Sequence, residues 1–202
     1  YSVSNVFNLG SSFHANSTNF LNASVTPQYE EDSPYDIPTD GLVGWWKFDE
    51  GSGVNVTDSS GNGNNGTASG MNWTDGKYNG AGSFDGVDDY VSLPLLDIVN
   101  TNYSVSCVIT SPTTSSIEAV VGFAGASTPI MNIGVSNNNF AMFQQRDNTS
   151  QIVSVSSIGY PINDMKQHNI IGIRNGNVFS LYVDGQLRGS STQTIGQTTI
   201  TG

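Results

Sequence analysis

The chain has 202 residues, 36% of them hydrophobic and only 11% charged, with 17 acidic against 6 basic side chains and a formal net charge of −11. That balance argues against nucleic acid or anionic lipid as a partner, because six scattered cations assemble no patch that neutralises phosphate, and it suits calcium or neutral sugar better. No run of about 18 apolar residues occurs, so no membrane span is expected. The length leaves room for one domain of about 150 residues and a further segment. The 23 glycines, with abundant Asn, Ser and Thr, favour turns and strands over helix.

Residues 1–40 differ from the rest. Tyr1, Phe7, Phe13 and Phe20 are widely spaced in a polar filler, and "TPQYEEDSPYDIPTD" follows with prolines at 27, 34 and 38. These prolines break regular structure, so the segment reads as an extended N-terminal strap or linker. Within it "YSVSNVFNLG" alternates as a donated strand would, with Val3 and either Tyr1 or Phe7 on one side. The start at Tyr1 instead of methionine suggests a processed or trimmed beginning.

The domain, residues 41–202, opens with the apolar strand "LVGWWKF". Adjacent Trp45 and Trp46 point to opposite faces. One enters the core; the other faces outward, available to stack on a sugar ring or be covered by the strap, and Trp46 is the candidate platform. "GSGVNVTDSSGNGNNGTASG" reads as a long connection with many left-handed positions. It has no P-loop lysine and no helix after it to hold an anion, and it offers Asn62, Asn64 and Asn65 as polar contacts. Trp73, in "GMNWTDGK", is an edge anchor or a second stacking platform.

"SFDGVDDYVSLP" places Asp85, Asp88 and Asp89 where a strand is otherwise expected. In one reading the turn at Gly86 brings Asp85 and Asp88 together, and with Asp49 or Asp58 and backbone carbonyls they cage Ca²⁺, which takes about six to eight oxygens. In the other, Asp85-Gly86-Val87-Asp88 is a turn whose side chains accept their own backbone amides, with Asp89 solvated. A catalytic carboxylate pair is not expected, since none of the four glutamates, Glu30, Glu31, Glu50 and Glu118, has a partner at the spacing a glycosidase needs within one strand.

Beyond this loop the strands follow at intervals of about ten residues: "YSVSCVIT", "IEAVVGFA", "IMNIGV", "FAMFQQ" and "IVSVSSI". "NIIGIRNGNVFSLYVDGQLRGS" predicts two successive tight hairpins with Asn175-Gly176 and Asp184-Gly185 at the turns. Cys107 alternates into the core as a small buried hydrophobe, and a single cysteine makes no internal disulfide. His168, at the start of a strand, reads as a structural histidine. No nucleophile motif occurs, so no enzyme is expected. Seven Asn-x-Ser/Thr sequons, at Asn16, Asn22, Asn55, Asn65, Asn72, Asn102 and Asn148, permit glycosylation and, with the rest, favour an extracellular or cell-surface location.

"GLVGWWKFDEGSG", "DSSGNGNNGT", "GKYNGAGSFDGVDDYVSLP", "YSVSCVI" and "HNIIGIRNGNVFSLYVDGQLRGS" together, from Gly41 to about Ser191, resemble the laminin-G-like, concanavalin A-like jelly rolls. The resemblance implies an all-β, two-sheet antiparallel jelly-roll sandwich that binds sugar or protein and often holds a structural Ca²⁺ near Asp85 and Asp88. Two departures stand out. Gln167 occupies the place of a Trp before His168, and the family's usual final strand, which pairs beside "LVGWWKF", has no counterpart in "TTITG". The expected function is a non-catalytic module binding carbohydrate or a cell-surface protein in adhesion. The alternative is a filament or coat subunit in which copies of the chain donate strands to one another.

Overall fold

The structure, a computed structural model, describes residues 2–9, 41–96, 98, 102–112, 118–124 and 129–196. Among them are fifteen strands and no helix. They are β1 (Ser2–Leu9), β2 (Leu42–Trp46), β3 (Asn55–Val56), β4 (Gly66–Ser69), β5 (Asn72–Asp75), β6 (Gly80–Ser83), β7 (Tyr90–Ser92) and β8 (Tyr103–Thr110). β9 (Glu118–Ala124), β10 (Pro129–Val135), β11 (Phe140–Arg146), β12 (Ile152–Pro161), β13 (Gln167–Asn175), β14 (Val178–Val183) and β15 (Gln186–Thr192) complete the series. One sheet runs β15-β14-β13-β8-β1-β6-β5 with β2 also on β1; a second runs β12-β11-β10-β9; a small third runs β3-β4-β7. Every pairing is antiparallel.

Residues two apart on a strand share a face, and this period builds the sandwich. Tyr103, Val105, Cys107 and Ile109 of β8, Ile170 of β13 and Phe179, Leu181 and Val183 of β14 line one layer. Met131, Ile133 and Val135 of β10, Ala141 and Phe143 of β11 and Val153 and Val155 of β12 line the other. Phe143 is fully buried, with the Tyr103 ring edge-on at 6.1 Å and the Phe179 ring at 6.0 Å. Gly172 lets the layers close, since a Cβ there would lie 2.7 Å from the Phe143 ring. The fully buried Gln145 is matched: Tyr103 donates its hydroxyl to Gln145 Oε1 at 2.9 Å, as a buried amide requires. Burial pushes the Cys107 thiol up to about 12, which suits an inert core residue.

The two hairpins differ in turn type. Asp184-Gly185 closes β14 on β15 with φ of 52° and 76°, the type I′ geometry that the sequence predicts. Between β13 and β14 the register Asn175↔Val178 leaves Gly176-Asn177 as the loop, with positive φ at Gly176 only (59°). That is a type II′ turn, one residue later than the expected Asn175-Gly176, because glycine takes the first position of II′ readily.

Other boundaries also move. The strand expected over "LVGWWKF" ends at Trp46, and Phe48 has φ of 61°. The expected long connection contains β3 and β4. The aspartate stretch is a turn between β6 and β7, which belong to different sheets.

β1 occupies an interior place. One edge pairs with β8 through Ser2↔Thr110, Val3↔Ile109, Ser4↔Val108, Phe7↔Ser106, Asn8↔Val105 and Leu9↔Ser104. The other edge pairs with β6 at Ser2 and Val3, and with β2 from Val6↔Trp46 to Leu9↔Leu42. The rest of the expected strap, residues 10–40, and the carboxy-terminal residues 197–202 lie outside the described residues.

Candidate functional site

The loop between β6 and β7 brings Asp85, Asp88 and Asp89 together, with one carboxylate oxygen from each within 4.8 Å of the others. Gly86, at φ 79°, turns the chain. Asp85 Oδ1 accepts from Val87 N at 2.8 Å, and Asp89 Oδ2 accepts from the Asp85 amide at 2.9 Å. Asp89 also lies against Gly70, where a Cβ would meet its Oδ1. The loop is therefore an Asx turn in which three carboxylate oxygens converge, and Asp89, expected in solvent, is half-buried and takes the Asp85 amide.

Asp49 and Asp58, the other expected metal ligands, stand outside this group. Asp49 Oδ1 accepts from Gly80 N at 3.1 Å. Asp58 spends both oxygens on backbone: Oδ1 accepts from Trp45 N and Ser60 N, and Oδ2 from Asn64 N, all at 2.9 Å. Partial burial pushes this carboxyl up, but the Ser60, Trp45 and Asn64 bonds together hold it below the ordinary range.

The same knot removes two expected ligand contacts. Trp46 is 3% exposed and donates Nε1–H to Asn64 O at 2.8 Å, so it belongs to the core and offers no face to a sugar. Trp45 is the half-buried one of the pair, with Lys47 Nζ 5.1 Å from its ring. Asn64 donates Nδ2–H to Val43 O at 2.8 Å, and Asn62 donates to Leu42 O at 2.6 Å, so their amides close the edge of β2 that faces away from β1. Trp73 is half-buried, packs 6.3 Å from Phe48 and donates to Gly53 O at 2.9 Å, an edge anchor with part of its ring exposed.

A site that sequence reasoning missed lies on the face of the four-stranded sheet turned away from the core. Met131, Ile133 and Val135 point inward, so Asn132 and Gly134 point outward. The registers Gly122↔Asn132, Asn132↔Gln144 and Gln144↔Ser154 set a row across β9, β10, β11 and β12. Gln144 donates Nε2–H to Ser154 Oγ at 2.9 Å. Asn132 is 6% exposed, and its Oδ1, shut from water, accepts no hydrogen bond. An unpaired buried acceptor costs about 1–3 kcal/mol. At Gly122 the row has bare backbone, where a Cβ would make only ordinary contacts. The available signal was a run of amide and hydroxyl side chains at alternate positions of apolar strands, beside two glycines.

His168 is buried between two carboxylates. Its Nδ1 lies 2.8 Å from Asp184 Oδ2 and its Nε2 3.0 Å from Asp164 Oδ1. Tyr160 donates to Asp184 Oδ2 at 3.2 Å, Asn169 N donates to Asp184 Oδ1 at 3.0 Å, and Arg188 stacks 3.7 Å over the Tyr160 ring. Lys166, by its side-chain bond first and its amide second, holds the Asp164 carboxyl well below the ordinary range, with His168 adding to the effect. The cluster clamps the turn before β13 to the β14–β15 turn.

Among the sequons, Asn55, Asn65, Asn72, Asn102 and Asn148 are exposed. Asn65 Oδ1 accepts from Asp58 N at 2.9 Å, and Asn102 Oδ1 accepts from Gly176 N at 2.7 Å. Asn16 and Asn22 lie outside the described residues.

Two main antiparallel sheets packed face to face around one core define the jelly-roll class of β-sandwich. The family model of the concanavalin A-like lectin/glucanases superfamily, of the Laminin G type, matches residues 84–202, more than half of the chain, and the chain belongs to that family. No curated protein matches it in sequence. Among solved structures it is similar to the binding domain of Paraclostridial Mosquitocidal Protein 1, at 14% identity and a TM-score of 0.58. That match covers 70% of this chain and only 38% of the toxin chain. It is also similar to domain 4 of AbnA, an extracellular arabinanase from Geobacillus stearothermophilus, solved with arabinotriose, at 20% identity and a TM-score of 0.52. There the match covers 69% of this chain and 73% of the other.

Proposed function

We propose that the chain is a non-catalytic carbohydrate-binding module of the cell exterior, and that the Gly122–Asn132–Gln144–Ser154 row is its contact surface. The unpaired Oδ1 of Asn132, beside the Gln144–Ser154 pair, carries the reading. A sugar hydroxyl is a neutral donor and acceptor, so it satisfies Asn132 and shares the amide and hydroxyl beside it. The arabinotriose in the complex with AbnA domain 4 supports the ligand class. The net charge of −11 supports neutral over anionic sugar.

Titration calorimetry with arabinotriose and a panel of neutral oligosaccharides tests it. Binding with a Kd on the order of 0.1–1 mM is expected. Asn132→Ala should weaken it about tenfold, the loss of roughly one hydrogen bond, while leaving the melting temperature unchanged or higher because an orphaned acceptor is removed. No binding to any member of the panel overturns the reading.

The same reading assigns the Ca²⁺ implied by the family to Asp85, Asp88 and Asp89, whose carboxylates are hard oxygen donors within reach of one ion. Bound there, it would neutralise three converging negative charges and fix the β6–β7 turn. A higher melting temperature in Ca²⁺ than in chelator, lost in Asp88→Asn, is the expected result; identical melting overturns this assignment alone.

A further inference from the structure

We infer that the channel between β8 and the β2/β6 edge accepts the β1 segment of a second copy of this chain, so that the fold can link copies by strand exchange. β1 is hydrogen-bonded on both sides, so a channel without it exposes two rows of unsatisfied N–H and C=O groups. Only an extended segment of the same register satisfies both rows. A β1 from a neighbour makes the same backbone bonds as the chain's own.

The connection between β1 and the domain is long. Leu9 and Leu42 are register partners, yet residues 10–41, a stretch of 32, connect them. A hairpin needs only about two to five. Closing a connection eight times longer than a four-residue loop is about 20-fold less probable. Its fully extended reach is at most about 110 Å, more than twice the diameter of a domain this size. The covalent link therefore gives β1 only an effective concentration on the order of millimolar over a neighbour's strand.

Nothing in the strands opposes the exchange. β1, β2, β6 and β8 read SVSNVFNL, LVGWW, GAGS and YSVSCVIT, without a charge or a proline. Edges that must avoid foreign strands normally carry such residues. The asparagines that close the outer edge of β2 leave its inner edge to β1. Exchange is thus favoured where copies are crowded, and the net charge of −11 makes added salt promote it.

The test uses the full chain. Ser2→Cys in one tagged copy and Thr110→Cys in a differently tagged copy place thiols at register partners, while Cys107 stays buried. Oxidised together at about millimolar concentration in screening salt, the two should yield a disulfide joining the different tags, falling at least tenfold at micromolar concentration. A copy carrying both substitutions should close on itself when dilute, which fixes the register. Closure within the double variant with no mixed product at high concentration overturns the proposal, as does failure of the double variant to close. Independently, the wild-type chain concentrated to about millimolar should give dimers or longer species by sedimentation; a chain that stays monomeric there overturns it.

Discussion

The β13–β14–β15 hairpins and the β1 seam sit in one sheet and are built from similar neutral, alternating strands, but they reach their registers differently. In the hairpins, two-residue turns, Gly176-Asn177 and Asp184-Gly185, set which residues face each other. In the seam, Ser2–Leu9 is aligned by the gap it enters, and partners such as Val3 and Ile109 are more than a hundred positions apart. Register set by a turn is local and quick to form, whereas register set by a gap exists only once the gap does. The hairpins are therefore tied to the fold by sequence proximity, and β1 only by sheet bonds that a neighbour's strand can equally make.

The largest expected effect removes the layer on which both regions rest. Phe143→Ala empties a fully buried site between Tyr103, Gly172 and Phe179, and denaturant unfolding should show a loss of about 3–5 kcal/mol. Hydrogen exchange should then rise in the hairpins and in β1 alike; a rise in one alone breaks the claim that they depend on one sheet.

A smaller change separates the regions. Gly185→Ala puts a side chain at φ 76° in a two-residue turn and should cost about 1–2 kcal/mol, opening β14 and β15 while leaving β1 protected. The smallest is electrostatic and again belongs to the hairpin end. The folded carboxyl of Asp164 is lowered by Lys166 first, so its contribution is full above the unfolded value near 4 and is lost as pH falls below it. The melting temperature should drop progressively as pH falls below about 4, and less steeply in Asp164→Asn; equal slopes contradict the assignment.

What the sequence made legible follows the same division. "YSVSCVIT" reads as a strand and is β8 residue for residue, and Asp184-Gly185 announces its turn, because period and turn chemistry are local. Two adjacent tryptophans tell that their faces oppose but not which face meets the core, and the structure buries Trp46, the expected platform. Asp58 and Asn64 read as available to a ligand because some of the backbone groups they satisfy, at Trp45 and Val43, lie more than a dozen positions away. The Asn132 row was hidden for the same reason: its members sit on four strands, and only the sheet register brings them into line.

Amide hydrogen exchange read residue by residue along Ser2–Leu9 tests the seam most directly. The account expects Val3, Phe7 and Asn8 to exchange far more slowly than an unprotected peptide, as the β8 amides from Val105 to Ile109 do. Exchange of β1 at the rate of an unprotected peptide, with β8 still protected, would contradict it.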